Sequence, residues 1–355
     1  EPETYWRLYQ SERDLLAFSY ERCQGRATMA LQLADKRGIV VVAKLARLIA
    51  ARCAYKRNDL DAAVNFAAEA GGIVEEQLRH VTGDVPRREL GFEAFQIYRM
   101  MLAMQVEQDS SPAGIARAFR TSERARGRAH LDAVARSRVS AFAATMPISP
   151  ALAEDKAEAE KRVRKLTKAL FESRSRRTTV ERHRNAIWAL EDVKQAIVRQ
   201  NPLLSRASIP RPASLRKVRK ELLDEDTILL SFFMTHDKVF LFAIDRNQAH
   251  IEVLADSPEA LGTMVSSFRK RYLMNPGAGM EAYKLAAQAL HRRVLGGVAK
   301  RLSGKSKLVI LPHGSLSALP FEALVDSKGS FLVEQHDIRY GLSATLSFER
   351  SNRRK

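Results

Sequence analysis

Cysteine is almost absent from this chain of 355 residues, which contains two, Cys23 and Cys53. Two thiols exclude a disulfide framework of the kind that stabilises small secreted domains, and they exclude the usual zinc-binding spacings. Both cysteines lie in alanine-rich stretches with helical periodicity, where cysteine acts as a small buried apolar residue. The pattern fits a reducing compartment. We therefore expect no metal, no cofactor and a cytoplasmic location.

Long apolar runs are also missing. The most apolar stretch, residues 38–54, is interrupted by Lys44, Arg47 and Arg52, so it falls short of a membrane span. Glycine and proline, at 17 and 12 residues, are too few for a collagen-like or low-complexity chain. The start at Glu1 lacks the pattern of a signal peptide and lacks methionine, so we expect a piece of a longer protein.

Positive charge is in excess, with a net charge of +18 at pH 7. Such a surface attracts nucleic acid, acidic proteins and anionic membrane surfaces, and charge alone does not choose among them. The densest basic group falls in residues 146–200, a predicted helical hairpin. Five of its side chains are candidates for binding an anion or a partner: Arg162, Arg164, Lys165, Arg176 and Arg177. Few aromatic residues lie nearby, so base recognition is not supported, and a solvated helix face is the alternative.

Residues 1–145 have helical periodicity throughout and contain a recurring pattern of small residues. The pattern occurs at Ala27, Leu31 and Ala34, at Ala63, Ala67 and Ala70, and at Ala118, Ser122 and Ala125. The first two copies are 36 residues apart, close to the roughly 34-residue tetratricopeptide period. The third begins 55 residues further on and is out of phase. We predict tetratricopeptide-like repeats, with an alanine-rich helical bundle as the alternative.

Residues 201–215 contain three Xaa-Pro pairs and form the predicted linker and main domain boundary. In residues 216–355 strands alternate with helices, which favours an α/β layer fold. Predicted strands cover 226–233, 239–244, 250–254 and 308–311, predicted helices cover 257–272 and 279–303, a strand pair covers 331–334 and 337–340, and another helix begins at 343. The expected fold class is therefore α followed by α/β.

The most informative stretch is residues 308–324, which predicts a buried strand, a sharp turn at Pro and Gly, and apolar residues that pack on the sheet. Its pattern, Pro-x-Gly-x-Leu-x-x-Leu-Pro-Phe-x-Ala-Leu, resembles the signature of the CHAT domain, the caspase-like domain associated with tetratricopeptide repeats. The resemblance implies structural roles for Pro312, His313, Gly314, Leu316, Leu319, Pro320, Phe321 and Leu324. More weakly, residues 118–119 and 122–126 together with Leu131 resemble the helix that usually closes the family's repeat array.

The resemblance implies a cysteine peptidase related to caspases and separases. That chemistry needs a thiolate and a histidine that activates it. The family places both after the helix that begins near Ser343, and no cysteine follows Cys53. The catalytic pair is therefore expected beyond Lys355, and this chain alone is expected to be inactive. His313 has no thiol partner, and we interpret it as part of the structural turn.

The function implied by the resemblance is a regulatory repeat region with the front half of a caspase-like cysteine peptidase. The repeats would bind a protein partner or sensor that controls proteolysis of a protein substrate. One alternative is a non-enzymatic tetratricopeptide scaffold with an incomplete caspase-like domain. The second alternative is a basic helical protein that binds nucleic acid.

Overall fold

The computed structural model describes residues 2–80, 84–126, 149–172, 177–200, 212–275, 277 and 279–351. Within those ranges the chain forms two compact units. The first is formed by the described residues of Glu1–Ile73, Phe95–Gly127 and Pro212–Lys355, and the second by those of Val74–Ala94 and Arg128–Arg211. Helices from the first part of the chain therefore share one compact unit with the C-terminal α/β part.

The first part of the chain is helical. It contains α1 (Pro2–Leu16), α2 (Tyr20–Arg37), α3 (Val40–Lys56), α4 (Leu60–His80), α5 (Asp84–Gln108) and the helical residues 112–126, called α6. The recurring small residues are buried on α2, α4 and α6, as their spacing predicts. A left-handed Gly38, with φ of 67°, ends α2 and lets α3 fold back against it.

The two cysteines are joined across this α2–α3 pair. Cys23 and Cys53 are fully buried and form a disulfide, with their Cα atoms 6.2 Å apart. Their burial was predicted correctly from the sequence, but a bond between them was not predicted. Periodicity places each cysteine on the inner face of its own helix, but the pairing depends on how α2 and α3 align after the turn at Gly38.

The predicted basic hairpin corresponds to α7 (Pro150–Glu172) and α8 (Arg177–Gln200), which pack against each other. Proline at the first position of α7 needs no backbone donor, and Ser149 Oγ accepts a hydrogen bond from Leu152 N at 3.4 Å. The predicted bend between the arms lies largely outside the described residues. So does most of the predicted linker.

The C-terminal part contains a mixed five-stranded sheet. Its strands are β1 (Thr227–Met234), β2 (Val239–Ile244), β3 (Ala249–Leu254), β4 (Lys307–Leu311) and β5 (Asp337–Tyr340), in the order β3-β2-β1-β4-β5. The first three strands form an antiparallel meander, β4 pairs in parallel with β1, and β5 pairs in parallel with β4. The fold class predicted from the sequence, α followed by α/β, is confirmed.

Short helices connect and flank these strands. They are α9 (Leu215–Glu221), α10 (Pro258–Phe268), α11 (Met280–Leu295), α12 (Ala299–Leu302), α13 (Leu332–Gln335) and α14 (Ala344–Ser351). A π-helical turn, Arg269–Leu273, follows α10, and a 3₁₀ turn, Gly296–Val298, separates α11 from α12. None of the helices that the structure describes is long and apolar enough to cross a membrane.

Both faces of the sheet are covered, which explains why every residue of β1 and β2 is buried. Ile228, Leu230 and Phe232 face a core shared with α10 and α11. On the other face, α5 and α6 supply aromatic rings. Phe95 of α5 lies 6.1 Å from Phe233 between ring centroids. Phe119 of α6 contacts Phe242 edge to face at 5.6 Å.

One predicted strand was wrong. Residues 331–334 were expected as a strand paired with β5, but Leu332–Gln335 form the short helix α13 instead. The backbone N–H of Phe331 donates to the Glu334 carboxylate at 2.8 Å, a local hydrogen bond of the kind that begins a helix. β5 pairs instead with β4 and is the edge strand of the sheet. Only an isolated bridge between Val325 and Phe331 retains extended pairing.

Candidate functional site

The signature turn follows β4 at the carboxyl ends of the parallel strands β1 and β4. After Pro312 and His313 the chain forms a 3₁₀ turn, Gly314–Ala318. Gly314 has a φ of +57°, and a Cβ added there would lie 2.6 Å from the Met234 sulfur. A side chain at this position would therefore meet both backbone strain and a steric clash.

The apolar signature residues fix this turn to the sheet. They are Leu316, Leu319, Phe321 and Leu324, each exposed by 2 % or less. The Phe321 ring lies 5.3 Å from that of Phe232, and the Phe321 N–H donates to the Tyr340 hydroxyl at 2.9 Å. Pro320 stands just before a second 3₁₀ turn, Phe321–Ala323. These contacts show why the spacing of the signature suits a tightly packed turn beside β1 and β5.

His313 is held by its surroundings as a neutral hydrogen-bond acceptor. Its Nδ1 accepts from the Met234 N–H at 3.1 Å, and its ring stacks on Phe233 at 4.6 Å. Burial lowers the pKa of His313 to about 4, and the nearby charges of Arg126 and Arg99 act in the same direction. The disulfide that holds both cysteines lies between α2 and α3. The interpretation of His313 as a structural residue stays a prediction.

Acid is expected to destabilise the protein through His313. In the unfolded chain the His313 imidazole has its ordinary pKa of about 6.5. In the folded chain its pKa is lowered to about 4. The contribution of His313 to the free energy of unfolding is therefore fully present above about pH 6.5. It falls by about 2–3 kcal/mol as the pH drops from there towards about 4. Urea unfolding at pH 7 and pH 4.5 measures the loss.

The matched variant is His313→Asn, whose side-chain oxygen can still accept from Met234 N–H but does not titrate. Its loss of stability between the two pH values should be clearly smaller. A residual acid effect will remain, because burial also lowers the pKa of His291. An identical pH profile in the variant and the parent would contradict the assignment to His313.

Arg126 of α6 reaches the same strand ends and was not singled out from the sequence. It is 8 % exposed. Its Nη1 donates to the carbonyl oxygens of Leu311 at 3.2 Å and Pro312 at 2.8 Å, and its Nη2 donates to Phe232 O. Burial lowers its pKa to about 10, against the opposing effect of Glu123, so it is charged at neutral pH. One guanidinium therefore binds the ends of both parallel strands.

Glu123, one turn before Arg126, binds the first turn of α14. It is fully buried and accepts from Thr345 N at 2.8 Å, Thr345 Oγ1 at 2.7 Å and Ala344 N at 3.3 Å. A carboxylate is well suited to a helix N-terminus, where backbone donors lack partners within the helix. We call Glu123, Arg126 and the groups they bind the buried joint.

One sequence signal for the buried joint existed. Ser122 and Ala125, two of the small residues that recur on α6, mark its inward face. Glu123 and Arg126 directly follow them and share that face, and a charged pair on an inward helix face needs buried polar partners. The strand ends and the first turn of α14 that supply those partners lie about 100–220 residues further along the chain, so the sequence did not identify them.

The anion-binding candidates on the hairpin are only partly described. Arg162, Arg164 and Lys165 are exposed on α7, and Arg164 lies 3.7 Å from the Glu160 carboxylate. Arg177 is the first residue of α8. Arg176 lies outside the described residues. The exposed α7 side chains are accessible to an anion, but among the residues that the structure describes no buried polar group supports them as a built site.

The family model of the CHAT domain matches residues 284–355. The matched segment runs from α11 through the signature turn to α14 and includes every signature residue. No curated protein matches the chain. This match confirms the resemblance drawn from the signature: residues 284–355 are similar to the CHAT domain, a caspase-like peptidase family.

Proposed function

We propose that this chain is the regulatory helical region and the front part of a CHAT-type cysteine peptidase. In this proposal the helical region binds a protein partner and controls the cleavage of a protein substrate. The catalytic cysteine and histidine are encoded after Lys355, so residues 1–355 alone do not cleave peptides. The family match supports the peptidase class, and the buried joint supports the regulatory role.

The buried joint is the observation that carries the regulatory part. Glu123 and Arg126 stand three residues apart on one helix, and between them they bind β1, β4 and the first turn of α14. In α/β enzymes, ligands bind outside the carboxyl ends of the strands. A small shift of α6 would therefore move the ends of β1 and β4 together with α14. The helical region is thus connected directly to the carboxyl ends of these strands, where a ligand would bind.

The proposal is tested with the protein expressed from the complete reading frame. We expect the frame to continue after Lys355 and to encode a cysteine that a thiol-directed active-site probe labels. Peptides with a basic residue before the cut, the preference typical of the family, are the first substrates to assay. A stop codon directly after Lys355, or no labelled cysteine in that protein, would contradict the peptidase proposal and favour the non-enzymatic scaffold.

The regulatory part needs a separate variant in the same protein. Glu123→Gln keeps the size of the side chain but weakens its hydrogen bonds to α14. We expect it to change how strongly a partner or substrate alters the rate of probe labelling, by about fivefold or more, which corresponds to about 1 kcal/mol of coupling. Glu21→Gln, on an exposed position of α2, is the matched control and should behave as the parent.

A nucleic-acid-binding role is the second candidate, because Arg162, Arg164 and Lys165 are exposed on α7. Retention on DNA or RNA columns at increasing salt tests it. Charge reversal at these three residues should reduce the slope of affinity against salt. Absence of retention at moderate salt would exclude this role.

A cytoplasmic location belongs to the proposal, although the disulfide removes the cysteine-based reason for it. Rapid alkylation of thiols in intact cells reads the state of Cys23 and Cys53 directly. Protein that is fully oxidised in cells would argue for an oxidising compartment instead.

A further inference from the structure

A basic pocket lies in the first compact unit, between the start of α6, α9 and the β2–β3 turn. Its volume is about 450 Å³. Four of its lining side chains are cationic: Arg216, Arg219, Lys220 and Arg246. None of the residues that line it belongs to the buried joint or to the basic hairpin.

Two of these cations are fixed by neighbouring backbone. Arg219 Nε donates to Arg246 O at 3.0 Å, and its Nη2 donates to Asn247 O. Arg246 donates to Leu223 O at 3.1 Å and pairs with the Glu225 carboxylate at 3.2 Å. Since these guanidinium groups are already ordered, a ligand that binds them does not have to order them first.

The other two cations, Arg216 and Lys220, also line the pocket. Arg216 and Lys220 are exposed and lie four residues apart on one face of α9. In the described part of the chain, no carboxylate lies within ion-pair distance of either. Lys217, which does not line the pocket, instead lies 4.0 Å from Glu221. Like charges at this spacing destabilise a helix by a few tenths of a kcal/mol, and an anion between them would convert repulsion into attraction.

The rest of the pocket indicates the kind of anion. Pro112, Ala116 and Leu215 give it an apolar floor, and none of its described lining residues is aromatic. Nucleic-acid bases therefore have no ring to stack on. The volume exceeds that of one inorganic anion and lies in the range of pockets that hold organic ligands. The planar guanidinium group of arginine can donate two parallel hydrogen bonds to one carboxylate.

We propose that the basic pocket binds an acidic peptide segment of a protein partner. One carboxylate lies between Arg216, Arg219 and Lys220, and a neighbouring apolar side chain contacts the floor. The inference rests on the proposed function only in taking the partner to be a protein. It names that partner's chemistry, an acidic segment with an apolar residue next to its carboxylates.

Fluorescence anisotropy with the full chain tests the proposal. The probe is a fluorescein-labelled ten-residue peptide of glutamate and leucine. The double variant R216E/K220E should bind it at least tenfold more weakly than the parent. The matched control is R162E/R164E on α7, which changes the net charge by the same amount and should weaken binding by no more than twofold. R216Q/K220Q, which removes charge without reversing it, should also lose binding.

Three outcomes would overturn the proposal. Equal weakening by both charge reversals would mean that the probe responds to the overall charge. If the parent does not bind the probe, the pocket does not bind acidic peptides of this kind, and the proposal is wrong. Displacement of the probe from the parent by an oligothymidylate of ten nucleotides, together with direct binding of that oligothymidylate by the parent but not by R216Q/K220Q, would assign the pocket to nucleic acid. None of these readings depends on peptidase activity, so the pocket and the proposed function can fail separately.

Discussion

Replacing Arg126 by methionine is expected to lower the free energy of unfolding by about 3–5 kcal/mol. Methionine fills a similar volume but cannot donate to the carbonyl oxygens of Phe232, Leu311 and Pro312. Three acceptors at the strand ends, two of them buried and one partly buried, then lose this donor. We expect that cost to exceed the gain from no longer burying a charge. Urea unfolding at pH 7, followed by circular dichroism, measures the difference.

Arg124→Met is the matched control for this substitution. Arg124 lies on the same helix, two residues away, and is exposed. Its replacement should change stability by less than about 0.5 kcal/mol, as is usual for surface positions. A loss below about 1 kcal/mol for Arg126→Met would show that the strand ends find other donors and that the buried joint is weaker than its geometry indicates.

Removing the disulfide by the double substitution C23A/C53A is expected to cost about 3–4 kcal/mol. The bond closes a loop between positions 30 residues apart. Without it the unfolded chain gains conformational freedom, while the folded chain loses two buried sulfur atoms that alanine only partly replaces. Thermal unfolding under oxidising conditions measures the difference.

The control for this prediction is chemical. With a reductant present, the parent should approach the stability of C23A/C53A, and the variant should not respond to the reductant. A thiol titration of the denatured parent, purified without reductant, should find no free thiol. Two free thiols per chain would contradict the disulfide and return both cysteines to the role of small buried residues.

The strands could be predicted well because their apolar runs are short and bounded by turns. Prediction gave β2 its correct limits and placed β1, β3 and β4 within one residue. The turn after β4 was also predictable, because Pro312 and Gly314 restrict the backbone and the leucines after them must be buried. In each case the information is local, carried by residues a few positions apart.

The remaining features depend on residues that are distant in the chain. The partners of Glu123 and Arg126 lie about 100 to 220 residues after them, and no periodicity links them. The Cys23–Cys53 pair requires the alignment of two helices. Residues 331–334 were predicted as a strand because apolar composition does not separate a short strand from one helical turn.

The covered second face of the sheet bears on how the protein is made. Phe119 of α6 leaves the ribosome about 120 residues before its sheet partner Phe242. At about 5–20 residues per second, that interval is roughly 6–25 s. During it the aromatic rings of α5 and α6 face water on a nascent chain. Chaperones that recognise exposed aromatic side chains therefore have a defined period in which to bind this protein.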